Sequence, residues 1–392
     1  VDVDPKTVAL DSPVYERPYH RPDWLERVQA DSVAGKARAT TPEELRDQAV
    51  RVVSSPNLAN PEWITNQYDR YVMGNTALAF PDDAGMIRVD EDSGLGVALA
   101  TDANGRYSYL DPYTGAQLAL SEAYRNVAAT GASTRVVSDC LNFGSPEDPE
   151  VMWQFAEAVR GLADACMELG VPVTGGNVSL YNQTGTTPIH PTPVVAVMGV
   201  IDTVERRLPS GWQDDGENLY LLGTTRAELD GSAWADVIHD HLGGMPPRPD
   251  LSAEKALAGL MSVAAKDGLV TSAHDVSTGG LLQTLVEGVL RRRVGARVWL
   301  SEVMEDGGLD ITEALFAESV ARMVVSVARE DDVKFRGLCE GRGVPVARIG
   351  VTDLSLHGLD IADHFSFGLE ELDTLHRGTL PANLGPVVGY QP

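Results

Sequence analysis

TRVVSDCLNFG (134–144) and LGVPVTGGNVSLYN (169–182) are the segments whose reading decides the fold of this chain. Each begins with an apolar run and ends in glycine and polar side chains. Between them lies the clearest helix in the sequence. Asp148 is placed to cap it, and Pro149 occupies its first turn. Val151, Phe155, Val159, Leu162, Cys166 and Leu169 recur at helical spacing, and Gly170 stops it. Strands are expected at about 134–138 and at VPVTG (171–175). They deliver DCLNFG and GGNVSLYN as strand-end loops, and strand–helix–strand is the rhythm of an α/β layer.

Working outward, MIRV (86–89) and LGVALATD (95–102) alternate like strands, and AQLALSEAYRNVAAT (116–130) reads as a helix closed by Gly131. TPVVAVMGVI (192–201) is expected to close a first domain. Thr41, Pro42, Glu43 and Glu44 together mark a helix start. After the turn-rich stretch 203–218, a second domain opens at LYLLGTT (219–225). There SAHDVSTGG (272–280) reads as a helix-start turn before LLQTLVEGVL, and ARMVVSV and PVARIG read as strands. The expected division is a lead-in at 1–40, a first domain at 41–205, a linker at 206–218 and a second domain at 219–392. The expected class is mixed α/β, or α+β.

Composition narrows the functional classes. The 392 residues, 43% hydrophobic, suffice for two domains with sizeable cores. Lys and Arg total 31 against 57 Asp and Glu, a formal charge of −26. That balance argues against a nucleic-acid partner, since bulk phosphate needs bulk cations. A small anion held by backbone amides, a metal ion and a few local cations remains compatible. Cys140, Cys166 and Cys339 form neither a zinc pattern nor a disulfide framework, so a reducing, cytoplasmic home is expected. No apolar run of membrane-spanning length is read, and no signal peptide is read in VDVDPKTVAL.

The strand-end loops carry the candidate chemistry, because ligands of open α/β layers gather there. Asp139 could bind Mg²⁺ or a nucleotide, and Asn142 stands beside it in sequence. Gly175 and Gly176 would permit a tight turn and a close approach to phosphate. Asn177 offers an oxygen to a hard cation, and Ser179 a donor to phosphate or substrate. Against this, Asp and Asn at strand ends often only cap turns. His274 and Asp275 are a conceivable acid–base pair, with a plain turn as the simpler reading. Cys140 has no evident base and reads as a structural thiol, His190 as part of a rigid turn, and Trp153 and Phe155 as packing. No Walker A loop, dinucleotide fingerprint or nucleophile elbow occurs. These residues alone support a Mg–phosphate site on an α/β protein, or a scaffold of the same fold with a degenerate site.

YLDPYTGAQLALSEAYRNVAATGA (109–132), DCLNFG with PEDPEVMWQF, GLADAC (161–166), LGVPVTGGNVSLYNQTG, SAHDVSTGGL (272–281) and FAESVAR (316–322) together resemble the phosphoribosylformylglycinamidine synthase family. The resemblance runs from about residue 40 onward and matches the second half of the family's large synthetase subunit. It implies a two-domain unit like aminoimidazole ribonucleotide synthetase, with a barrel-forming N-terminal domain and a C-terminal α/β domain. It implies ATP contacts at Asp139 and Gly176, a Mg²⁺ contact at Asn177 and a substrate contact at Ser179. Asn142, Gly175, His274 and Asp275 would be further loop contacts. The implied reaction activates the amide oxygen of formylglycinamide ribonucleotide with ATP, and ammonia then displaces the phosphate to give the amidine. The implied partners are the N-terminal half of the synthetase, a glutaminase subunit or domain supplying ammonia, and a small accessory subunit. The family's catalytic His lies in its first half, so no catalytic residue is expected here. Thr278 stands where the family commonly has Asp.

Overall fold

The computed structural model of the chain describes residues 2–11 and 14–385. The lead-in stretch DSPVYERPYHRP includes Ser12 and Pro13, and the expected second domain includes 386–392; both lie outside the described residues.

The first sheet comprises β1 (Thr76–Leu78), β2 (Gly85–Arg88), β3 (Gly96–Asp102), β4 (Ser133–Asn142), β5 (Val173–Ser179) and β8 (Thr192–Ile201). Their order is β1-β2-β3-β8-β4-β5, with β4 and β5 parallel and the other pairs antiparallel. A short ribbon, β6 (Gln183–Thr184) with β7 (Thr187–Pro188), lies between β5 and β8. The helices Pro112–Ala129 and Pro149–Leu169 cover one side of the sheet. The first is almost wholly buried, and the second buries the apolar stripe seen in the sequence. Asp148 caps the second through the Glu150 amide, and Gly170 ends it in the left-handed conformation (φ +75°).

The expected barrel is not present. β1 pairs only with β2, and β5 pairs only with β4, so the sheet is open. Closure requires the first and last strands to bond with a consistent tilt and stagger. Here β1 has three residues, while β5 is an exposed edge strand. A second correction concerns GGNVS. It forms part of β5 rather than a loop after it, and β4 likewise runs on through DCLN.

The second sheet contains β9 (Asn218–Leu222), β10 (Ser272–Asp275), β11 (Ala296–Val298), β12 (Met323–Val327), β13 (Val346–Thr352), β14 (Gly358–Ile361) and β15 (Phe365–Gly368). Their order is β10-β12-β9-β13-β11-β14-β15, antiparallel apart from the pair β11–β14. β9 is buried at every residue because both sides are covered. Leu257, Leu260, Met261, Phe335 and Cys339 pack on one side, against Tyr220, Leu222 and Val325. Leu281, Leu285, Phe316 and Leu372 pack on the other, against Leu219, Leu221 and Val324.

The helix Pro42–Val53 starts at the expected cap, Thr41, which accepts from the Glu44 amide. Its Leu45, Ala49, Val52 and Val53 join the core of the second sheet, although the sequence boundary at 41 assigned the helix to the first domain. The stretch 206–218 is pinned to both units. Trp212 is buried, and Ser210 donates to Asp82 through both its amide (2.8 Å) and its hydroxyl (2.7 Å).

Candidate functional site

Strand register brings the predicted residues together in two sets. Asp139 lies opposite Gly176, Cys140 opposite Asn177, and Asn142 opposite Ser179. Side chains alternate along a strand, so neighbouring pairs point to opposite sides of the sheet. Val137 and Leu141 are buried towards the helices, and Asp139 shares their side. Burial raises the Asp139 carboxyl above its usual range, and Asp139 in turn helps burial push the Cys166 thiol up to about 11. Asn177, Ser179, Asn142 and Cys140 face the open side. The residues expected to hold nucleotide and those expected to hold metal and substrate therefore lie on opposite sides of this sheet.

The two glycines differ. Neither has a positive φ. A Cβ on Gly176 would lie 2.4 Å from Asp139 Oδ1, whereas one on Gly175 would meet nothing within 4 Å. Gly176 is thus required by the Asp139 carboxylate that lies over it. The end of GGNVSLYN is held by Asn182, whose Nδ2 donates to Ser179 O (2.9 Å), Ser179 Oγ (3.1 Å) and Phe143 O (3.1 Å). Tyr181 sits in the left-handed region beside it (φ +61°). Asn142 Nδ2 donates to Cys140 O (2.8 Å), and the Cys140 sulfur contacts the same side chain. His190 stacks on Tyr109, which stacks on Trp24, and Phe155 meets Phe143 edge-on.

A second constellation fills the seam between the units, and the sequence reading found only two of its members. Asp102 ends β3. In the helix Pro112–Ala129, Glu122, Arg125 and Asn126 fall at i, i+3 and i+4, on one face. His274 and Asp275 end β10 in a strand, not in the helix-start turn expected from the sequence. Arg125 pairs with Glu254 and, at 3.4 Å, with Asp275. Once its amide is oriented correctly, Asn126 donates to both Asp275 oxygens at 3.2 and 3.3 Å. Burial pushes Asp102 up to about 7. Burial, reinforced by Asp102 and Asp275, holds Glu122 well above the carboxylate range. Asp275 is also raised by burial and by Asp83. Asp102 Oδ2 is screened from solvent with no hydrogen-bond partner. Asp102 and Glu122 share a hydrogen bond and, with Asp275, hold one another's carboxyls up, but among the described residues the set whose ligand atoms all lie within 4.8 Å of one another is Asp83, His274 and Asp275.

Asp102 shares a transverse row with the predicted residues: Asp102 pairs with Val195, Val195 with Asp139, and Asp139 with Gly176. At about 4.8 Å per strand step, Asp102 and Asp139 are about 10 Å apart along the side that carries the helices.

Behind Asp275 lies a charge-paired knot. His274 Nδ1 is 2.8 Å from Asp83 Oδ1, and its Nε2 is 3.2 Å from Glu287 Oε2. Arg291 pairs with Asp83 (3.1 Å) and Glu287 (2.5 Å). Burial and Arg291 oppose the charge on His274, but Asp83 and Glu287 overcome them and push it up to about 9. Asp83, His274 and Asp275 lie close enough to ligate a metal. However, both ring nitrogens of His274 face carboxylates, which makes it an imidazolium and a poor ligand. Asp83 Oδ2 accepts from the Asp275 amide at 2.9 Å, so the knot fixes the end of β10 against the first unit. A cavity of about 530 Å³ opens beside it, lined by Asp82, Arg207, Arg291 and Arg292 among others.

The missed members had a faint signal. Ser121, Glu122, Arg125 and Asn126 interrupt an otherwise apolar, Ala-rich helix, and LGVALATD ends on an acid.

Comparison with known proteins bears on the family and the fold. Residues 81–201 match the AIR synthase related protein N-terminal domain, and residues 214–355 match its C-terminal domain. Over 391 residues the chain is 63% identical to phosphoribosylformylglycinamidine synthase subunit PurL of Leifsonia xyli subsp. xyli, covering 99% of this chain and 51% of that one. The chain belongs to the phosphoribosylformylglycinamidine synthase PurL family. The Streptomyces coelicolor PurL subunit is 60% identical over 384 residues, 98% of this chain and 50% of that one. The chain thus spans about half the length of these relatives. Among solved structures, Thermotoga maritima PurL complexed with FGAR superposes with a TM-score of 0.69 at 21% identity, over 94% of this chain and 57% of that one. A HypE–HypF complex superposes with a TM-score of 0.53 at 16% identity, over 73% and 92%. At such identities the likeness speaks for the fold. Among the described residues, no helix is long and apolar enough to cross a membrane.

Proposed function

We propose that this chain is the C-terminal half of an ATP-dependent C–N ligase that converts formylglycinamide ribonucleotide to its amidine. The observation that carries this reading is the 63% identity over 391 residues with a protein named for that synthase. Solved relatives described as complexed with FGAR, ATP and ADP are consistent with it. The chain's own chemistry agrees. Asp102, Glu122 and Asp275 bring three carboxyls to one seam, where they would have to draw together to take Mg²⁺, and Asp139 lies on the same side of the sheet as Asp102. Bound there, the cation would supply charge neutralisation for a nucleotide phosphate.

In this reading Asn126 orients the Asp275 carboxylate, and Asp83 and His274 hold the strand that carries it. Asp139 and Gly176 form the nucleotide side. Asn177 and Ser179 belong to the opposite, substrate-facing side, where Asn177 remains a candidate cation contact. The remaining half of the synthetase, a glutaminase supplying ammonia and a small accessory subunit complete the assembly. A solved Thermotoga maritima PurLQS structure superposes with a TM-score of 0.64 at 20% identity. The experiment is ATP-dependent amidine formation, with ammonia supplied, by this chain alone and by the chain together with the rest of the synthetase. Activity is expected only in the second case. Turnover by the 392 residues alone would overturn the half-site reading, and none in either case would favour a non-catalytic scaffold.

A further inference from the structure

We infer that a cavity at the far end of the first sheet binds a small phosphate ester. The cavity is about 300 Å³ and lies where the start of β4, the end of β8 and the last turn of the helix Leu251–Asp267 converge. Arg135, Arg206 and Lys266 line it. Among the described residues none of the three side chains has an ion pair or hydrogen bond, although Asp202 lines the same cavity. Such a trio is unexpected in a chain of formal charge −26, where buried Arg125 and part-buried Arg291 are each held by two carboxylates.

The helix terminus does not account for these cations. Its Ala264 and Ala265 carbonyls already accept from the Gly268 amide, and Ala264 O also accepts from Leu269. Ser133 and Ser262, whose hydroxyls are 3.1 Å apart, add two adjustable donors. Forked guanidinium donors, an ammonium and hydroxyls together form a phosphate-recognition set. Ile201 and Ala265 supply an apolar floor. Gly131 presses this seam together, since at φ +85° a Cβ there would lie 2.6 Å from Ala265 Cβ. The cavity is at the lower limit of ligand pockets, which fits a nucleoside monophosphate better than a dinucleotide. β4 carries Ser133 at this end and Asn142 at the other, about 30 Å away by strand rise. Asp139, the candidate nucleotide residue, lies between them on the same strand, six residues or about 20 Å from Ser133.

The test uses the full-length protein that contains this chain, with adenosine monophosphate and inorganic phosphate as probes. Calorimetric titration is paired with amide hydrogen exchange over 131–135, 200–206 and 262–268. Adenosine monophosphate should bind more tightly than phosphate and slow exchange in those segments. The double variant Arg135→Gln, Lys266→Gln should weaken it by about tenfold or more. Asp139→Asn should leave that protection unchanged. The substituted side chains are exposed, and a thermal melt checks that the fold is kept. Equal affinity for the two probes would overturn the assignment of an ester. Protection elsewhere only, unchanged affinity in the double variant, or no binding at about 10 mM would overturn the site.

Discussion

At the scale of single residues, neighbouring glycines of identical sequence character have different duties. Gly175 has open space around its missing side chain, and Gly176 has the Asp139 carboxylate. Gly176→Ala must displace both Asp139 and its backbone, and overpacking of that kind costs about 1–3 kcal/mol. Gly175→Ala should stay within about 0.5 kcal/mol of the parent. Thermal or urea denaturation of the two variants reads this directly, and equal stabilities would remove the close-approach argument. Asp102 invites the opposite expectation. Its carboxyl is burdened by burial and shares its surroundings with Glu122 and Asp275. Asp102→Asn should therefore stabilise the metal-free protein by on the order of 1 kcal/mol, as residues kept for function often cost stability. The same variant should lose most of the added stabilisation that Mg²⁺ gives the parent. An undiminished Mg²⁺ response would place the cation elsewhere.

At the scale of elements, the knot behind β10 joins the segment before β2 to a strand and a helix of the second unit. Asp83 is the shared partner of His274, Arg291 and the Asp275 amide. Asp83→Ala leaves two buried cations short of a carboxylate, and breaking such a pair costs about 3–5 kcal/mol. In a double-mutant cycle, Asp83→Ala and Arg291→Met should couple by about 0.5–3 kcal/mol. Additive losses would mean that the two do not act as a unit. The contrast with the rest of the fold shows what the sequence could reveal. The helix Pro149–Leu169 was legible from Asp148 to Gly170 because cap, period and stop are all local. β8 was legible because TPVVAVMGVI is a nearly continuous apolar run rich in Val. Asp139 and Gly176 were recognisable as a pair of interest, but their sides of the sheet were not, because GGNVS lacks the apolar alternation that marks a strand. Asp83 was invisible for another reason. Its partners lie far away in sequence, 192 residues in the bond from the Asp275 amide, and no periodicity reports a contact across that span.

At the scale of the whole molecule, the two sheets share a polar, charge-bearing seam, which argues for folding as one body. Arg125 in the first unit is buried between Glu254 and Asp275 of the second. Glu318 accepts from Tyr107 of the first unit and, at 2.8 Å each, from the Ala233 and Gly279 amides of the second. These groups lose solvent only when both units are in place, so either unit alone would carry unpaired charges at its surface. Calorimetry of the chain should accordingly show one transition, with calorimetric and van't Hoff enthalpies in agreement. Glu318→Ala leaves the Tyr107 hydroxyl and two buried amides without their acceptor, at a cost of about 1–3 kcal/mol per group. That variant should melt lower and separate the transition into two, because the loss falls on the contacts that make the units cooperate. A parent that already melts in two steps, or a Glu318→Ala variant that melts lower but still in one, would show that cooperation rests on the apolar packing around Trp212 instead.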